Sequence, residues 1–177
     1  METGQNIPQI RLPAIDGTQF DSQSLKGKKY LLTFFRFATC PFCNMRMSQL
    51  VQIKDELGKD FEIIAIFESE IKHLKKHANK HLAKFPILAD QARQYYELFA
   101  VKKSVMGMIK GMLFRIPTVI KAMFRGYLPH EISTRYFIMP LSILVDKQGV
   151  MHSIYHGKDE GDHIPLEQVL EFAKEEY

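Results

Sequence analysis

Apolar positions gather into a few unbroken runs, and the stretches between them carry helical spacing. Residues 29 to 37 and 59 to 67 are almost continuously apolar, the pattern of strands covered on both faces. Between them, Asn44 to Leu57 returns Met47, Leu50, Val51, Lys54 and Leu57 on successive turns and predicts a helix. Strand, helix, strand in that order places the two strands parallel, with their C-terminal ends on one edge. A third strong strand is predicted at Leu141 to Val145, followed by a turn at Asp146 to Gly149 and an antiparallel return from Val150 to His156. Upstream, residues 8 to 27 alternate around the turn dipeptide Asp16-Gly17 and read as a β-hairpin. Further helices are expected over 70 to 84, 91 to 101 and 166 to 177, the last with Pro165 in its first turn, and a short turn or strand over Phe85 to Asp90.

Composition narrows this picture to one α/β domain over residues 1 to 177. At 177 residues and 46% hydrophobic, the chain has the size and apolar content for one sizeable core. It shows no leader-like opening and no apolar run long enough for a membrane span, so a soluble, cytoplasmic protein is expected. The net charge of +4 is uneven. Lys102, Lys103, Lys110, Arg115, Lys121 and Arg125 fall between Val101 and Gly126 with no acid among them, so the remainder is slightly acidic. That distribution argues against a general nucleic-acid surface.

Candidate chemistry collects where the first buried strand ends, because both cysteines stand there as Cys40-Pro41-Phe42-Cys43. At a strand-to-helix junction the first helical amides lack intrahelical partners and favour a thiolate over a thiol, and Pro41 fits a first turn that needs no donor. Cys40 is therefore the expected nucleophile, and Cys43, one turn further in, the resolving thiol. A half zinc site would need two more ligands at short spacing, and no second Cys-x-x-Cys exists. Two inert core thiols are the other bland reading. Neither a metal nor a cofactor is expected.

Around this pair, topology adds supporting candidates. Arg36 either lowers the Cys40 pKa or snorkels at the strand end. Glu68 and Ser69 end the second strand on the Cys40 edge, where open α/β sheets collect ligands. Thr39 precedes the nucleophile. His156 and His163 flank a charged loop that returns to the same edge, and either could exchange protons with a leaving thiol or be an ordinary loop histidine. His73, His77 and His81 share one helix face, but the surrounding lysines make it a solvated basic face rather than a metal site.

Several of these segments resemble a known family. Pro13 to Gly17 with Leu25 to Lys28, Phe35-Arg36 through Asn44, Leu141 to Asp146 with Gly149, and Tyr155 to Lys158 through Gly161 to Pro165 are similar to the peroxiredoxin-like proteins of the alkyl hydroperoxide reductase and thiol-specific antioxidant (AhpC/TSA) family. The resemblance implies a thioredoxin-like fold: a central mixed sheet flanked by helices, an N-terminal hairpin, and a helical insertion over residues 102 to 135. Family members keep a Thr three residues before the reactive Cys, where this chain has Phe37, and an Arg on the strand where it has Met139-Pro140-Leu141. Pro140 matches instead the thioredoxin pattern, in which a cis-proline faces the disulfide, and a cis bond is expected there.

Two functions from different classes follow. The first is an oxidoreductase that reduces disulfides or peroxides through a Cys40–Cys43 cycle, recharged by a cellular thiol donor of the thioredoxin or glutathione type. The second is a redox-sensing module whose basic, Met-rich insertion docks to a membrane surface or partner. The insertion reads as two short helices broken at Ile116-Pro117. Its expected place is over the active site, with Met106, Met108, Met112 and Phe114 covering the thiols, or in a homodimer contact.

Overall fold

A computed structural model describes residues 1–78, 84–127 and 137–175, with the Met112 side chain outside that description. Strands β1 (Arg11–Pro13) and β2 (Gln19–Asp21) form the N-terminal antiparallel hairpin, with Arg11 opposite Asp21. Its turn depends on Gly17 at φ 96°, and on the Asp16 carboxylate, which accepts from the Thr18 amide at 2.9 Å and hydroxyl at 2.7 Å.

The main sheet contains β3 (Lys29–Phe35), β4 (Phe61–Phe67), β5 (Ile87–Ala89), β6 (Leu141–Val145) and β7 (Met151–His156), in the order β5-β4-β3-β6-β7. The first three run parallel, and β6 and β7 are antiparallel, so the sheet is mixed. All seven residues of β3 are buried, which is why its sequence runs apolar without alternation. Leu31 and Phe35 face one layer with Ile63, Phe67 and Met47; Leu32 and Phe34 face the other with Ile64, Tyr96 and Phe99. Each large apolar side chain so enclosed contributes about 1.5–3 kcal/mol. Lys29 is tolerated inside because its Nζ donates to the Phe172 carbonyl at 2.9 Å and to the Glu175 carbonyl, at the C-terminal end of α6 (Leu166–Lys174).

Helix α1 (Pro41–Ile53) begins before and ends short of its predicted bounds, α3 (Gln94–Leu98) is shorter than predicted at both ends, and α2 (Ile71–Ala78) is described as far as Ala78. For α3 the cause is local: the Asp90 carboxylate accepts from the amides of Gln94, Tyr95 and Tyr96, so the helix begins there and not at Gln91. His81 lies outside the described residues.

Between α3 and β6 come α4 (Val105–Phe114) and α5 (Ile116–Phe124), which meet at Arg115. Ser104 caps α4 by accepting from the Gly107 amide at 2.9 Å, and α5 packs against α1 with Ala122 buried. The expected insertion continues into residues 128–136, which lie outside the described residues.

Two expectations are corrected here. The Met139–Pro140 bond is trans. Met139 donates to the Lys102 carbonyl at 2.9 Å, just before the chain enters β6. The second concerns the cover over the thiols. Met106 is 62% exposed and Phe114 80% exposed, so these two turn outward, because the inner face of α4 carries its glycines; Met108 is half-buried, and the Met112 side chain lies outside the description.

Candidate active site

Cys40 is the residue that caps α1, with Pro41 as the first helical residue. The bend out of β3 is fixed by backbone and side chain together. The Cys40 amide donates to the Phe37 carbonyl at 3.1 Å, and the Asn44 amide group donates to the carbonyls of Ala38 at 2.9 Å and Cys40 at 2.8 Å. Below the bend, the Tyr96 hydroxyl contacts the Phe35 and Ile66 carbonyls and ties the ends of β3 and β4 together. Both thiols are unbonded and fully buried.

Arg36 points into this bend rather than out to solvent. Its Nη1 lies 3.6 Å from Cys40 Sγ, and its backbone amide donates to Cys43 Sγ at 3.4 Å. The guanidinium also stands 5.3 Å from the centre of the Phe37 ring. A buried cation needs a carboxylate, and Glu160 supplies it at 2.5 Å, with both side chains almost wholly enclosed. Glu160 was not singled out from the sequence. The signal that could have found it is Arg36 itself, since an arginine closing a mostly apolar, fully buried strand calls for an acid from elsewhere in the chain.

Glu160 sits on the loop after β7, which the fold holds firmly. Gly157 donates to the Pro140 carbonyl at 2.8 Å, and Asp162 accepts from the Lys158 amide at 2.8 Å and the Tyr155 hydroxyl at 2.7 Å. Arg115, at the junction of α4 and α5, pairs with Asp159 at 2.6 Å. From outside, α4 presses on the same loop through residues that have no side chain. A Cβ at Gly107 would lie 2.9 Å from the Lys158 carbonyl oxygen, and one at Gly111 would overlap Glu160 Cγ and stand 3.1 Å from its Cδ. Gly111→Ala is therefore expected to lose about 1–3 kcal/mol of stability by overpacking, although alanine favours a helix by about 1 kcal/mol over glycine. Denaturant titration checks this; an unchanged or raised midpoint would mean that α4 rides clear of Glu160.

The other candidates are placed as follows. Thr39 is buried, and its hydroxyl has no hydrogen-bond partner among the described residues. Glu68 is buried beside the bend: its amide donates to the Arg36 carbonyl at 3.0 Å, and its carboxylate faces Arg93 at 3.6 Å. Pro140 precedes β6 at the Cys40 edge, packed against Gly157. The His163 ring lies 5.5 Å from the Phe35 ring, tilted at 50° to it, and neither ring nitrogen has a hydrogen-bond partner among the described residues. Burial, reinforced by Arg46, Arg115 and Arg36, pushes its pKa well down, so the ring is neutral. His156 ends β7; partial burial and then the charge of Lys102 lower its pKa.

These surroundings split the two thiols. Burial pushes Cys40 up, but the Cys43 thiol, the Arg36 cation and the amides of Cys43 and Phe42 together outweigh it and hold Cys40 down at about 6. Cys43 moves the other way, raised by burial and by donating to its partner. Burial lifts the Glu160 carboxyl to about 7 against the pull of Arg36.

A mixed sheet with a dithiol at the N-terminus of its first long helix defines the class of thioredoxin-fold thiol enzymes, and comparison with known proteins specifies the family. The AhpC/TSA family model matches residues 3–170. Peroxiredoxin Bcp of Escherichia coli strain K12 is 30% identical over 125 residues, covering 69% of this chain and 80% of that protein. Among solved structures, peroxidoxin BcpB from Mycobacterium tuberculosis aligns with a TM-score of 0.71 at 15% identity, over 98% of this chain and 97% of that one. A thioredoxin-family thiol:disulfide interchange protein from Chlorobium tepidum aligns with a TM-score of 0.57 at 21% identity, over 98% of both chains. The chain belongs to the AhpC/TSA family and is a thiol-dependent oxidoreductase.

Proposed function

We propose that the protein is a thiol peroxidase that works through a Cys40–Cys43 disulfide, within a single thioredoxin-like domain carrying residues 102 to 135 as an insertion. The observation that carries this reading is the Arg36 guanidinium 3.6 Å from Cys40 Sγ, with Cys43 donating to the same sulfur. The Cys40 thiolate attacks the terminal oxygen of a hydroperoxide, the O–O bond breaks, and the sulfur is oxidised by two electrons to a sulfenic acid. The leaving alkoxide takes up a proton and departs as an alcohol. Glu160, hydrogen-bonded to Arg36 and with a carboxyl pKa of about 7, is suited to hold that proton. Thr39, whose buried hydroxyl lacks a partner among the described residues, has a free hydrogen-bonding group with which to hold the peroxide. The Cys43 thiol then attacks the sulfenic sulfur, forming the disulfide and releasing water. A donor of the thioredoxin or glutathione type reduces the disulfide and restores both thiols.

The relative from Escherichia coli is named a peroxiredoxin, which supports peroxide as the substrate; the same dithiol can exchange with disulfides. A dithiol cycle of this kind suits the reducing cytoplasm, and no described helix is long and apolar enough to cross a membrane. Reading the insertion as a docking element is compatible with this activity, because its large apolar side chains face outward.

Site-resolved alkylation tests the assignment. Since the thiolate reacts, the Cys40 rate should rise with pH through a midpoint near 6 and level off above it, while Cys43 stays unlabelled. A Cys40 midpoint at or above the ~8.5 of a free cysteine would overturn it.

A further inference from the structure

Nine of the eleven large apolar side chains exposed on the described residues belong to α4 and α5. They include Met106, Leu113, Ile116 and Met123, with Phe114 at 80% and Phe124 at 88% exposure. Scattered apolar residues need no explanation, but one helical hairpin carrying nearly all of them does. Residues 102 to 125, which contain both helices, hold six cations and no acid; Arg115 is paired inward with Asp159, while Lys102, Lys103, Lys110 and Lys121 make no ion pair among the described residues.

We propose that the outer face of α4 and α5 seats the protein in the interface of an anionic lipid bilayer, and that the peroxides of those lipids are its substrate class. The helices have ten and nine residues, too short to span a bilayer, so they lie in its plane. Aromatic and aliphatic side chains enter the acyl boundary, and the lysines meet anionic headgroups. A second copy of this chain is the poorer occupant, since a two-fold contact would set the same cations against each other. The inner face of α4 meanwhile lies against Lys158 and Glu160, so the hairpin brings the cover of the thiol site down to the lipid.

The substrate assignment rests on the peroxidase reading, and the tests separate the two. The full chain is mixed with vesicles of phosphatidylcholine alone and with about a third phosphatidylserine. It should sediment with the anionic vesicles only, and added salt should release it. Phe114→Ser combined with Phe124→Ser should weaken this binding by about tenfold or more, and Lys110→Glu with Lys121→Glu should do the same. Both pairs alter exposed positions outside the thiol site, so turnover of a small soluble peroxide should be unchanged, while reduction of phospholipid hydroperoxide in anionic vesicles falls in step with binding.

Absence of binding to anionic vesicles, or binding indifferent to the phenylalanines, would overturn the docking. Self-association of the wild type that the Phe114→Ser, Phe124→Ser pair dissolves would assign the face to a second copy instead. Normal vesicle binding with no turnover of any peroxide would leave the docking intact and sink the peroxidase reading. Normal binding and soluble turnover, with lipid hydroperoxide untouched, would overturn the substrate class alone.

Discussion

Cys40→Ser is expected to lower peroxide turnover by about three orders of magnitude or more, because an alcohol at that position stays protonated where the thiol is held near 6. Cys43→Ser should behave differently. Its first attack on peroxide proceeds, since the amides at the start of α1 and the Arg36 guanidinium remain, but no internal thiol then displaces water from the sulfenic acid. Mass spectrometry should find Cys40 held as a mixed disulfide with the donor or oxidised further. Steady turnover in Cys43→Ser at the wild-type rate would mean that an outside thiol resolves the intermediate. Residual turnover in Cys40→Ser within tenfold of wild type would place the nucleophile elsewhere.

Arg36→Met should produce the largest loss of stability of any single change at the site, and the loss should depend on pH. The variant leaves the Glu160 carboxyl enclosed with no cation, a situation that costs about 3–5 kcal/mol when the carboxylate is charged. The two acids facing Arg36 have opposite linkage. Glu160, raised in the fold, contributes stability that is fully present below its unfolded pKa and lost as pH climbs through about 7. Cys40, depressed in the fold, contributes stability that is present at high pH and lost as pH falls through about 6. Without Arg36 both groups resist ionisation, so the penalty of the substitution should be small near pH 5 and full near pH 8. Denaturant midpoints at the two pH values read the first effect, and a Cys40 alkylation midpoint moved upward reads the second. A penalty equal at both values would show that Arg36 serves packing rather than charge.

Much of this arrangement is visible in the chain before folding. The nearly continuous apolar runs that become β3, β4 and β6 have the length and composition of strands enclosed on both faces, and Asp16-Gly17 announces the hairpin through the one residue free to adopt its positive φ. Cys40-Pro41 states the helix start. What the sequence conceals is long-range pairing: Glu160 reaches Arg36 across 124 residues, from a loop whose charges look like ordinary solvated ones. His163 is hidden for the same reason, a polar letter in a polar loop that nonetheless packs against Phe35. The orientation of α4 is not legible because most of its residues are apolar, leaving periodicity little to distinguish. Its inner face is marked instead by what is missing, the paired glycines at 107 and 111, one turn apart.

Those glycines make the loop at residues 158 to 160 a shared boundary, with the hairpin on one side and the ion pair of the thiol site on the other. Displacement of Glu160 from either direction is felt in the other. Oxidation of Cys40 removes the negative charge that Arg36 balances together with Glu160, and so alters how firmly the loop is held. By the reciprocity of linked equilibria, an external contact that favours one oxidation state of the thiols must itself bind that state more tightly, and by the same factor. The hairpin would thus be a heterotropic effector surface, and the electron count at Cys40 would be legible from outside the protein.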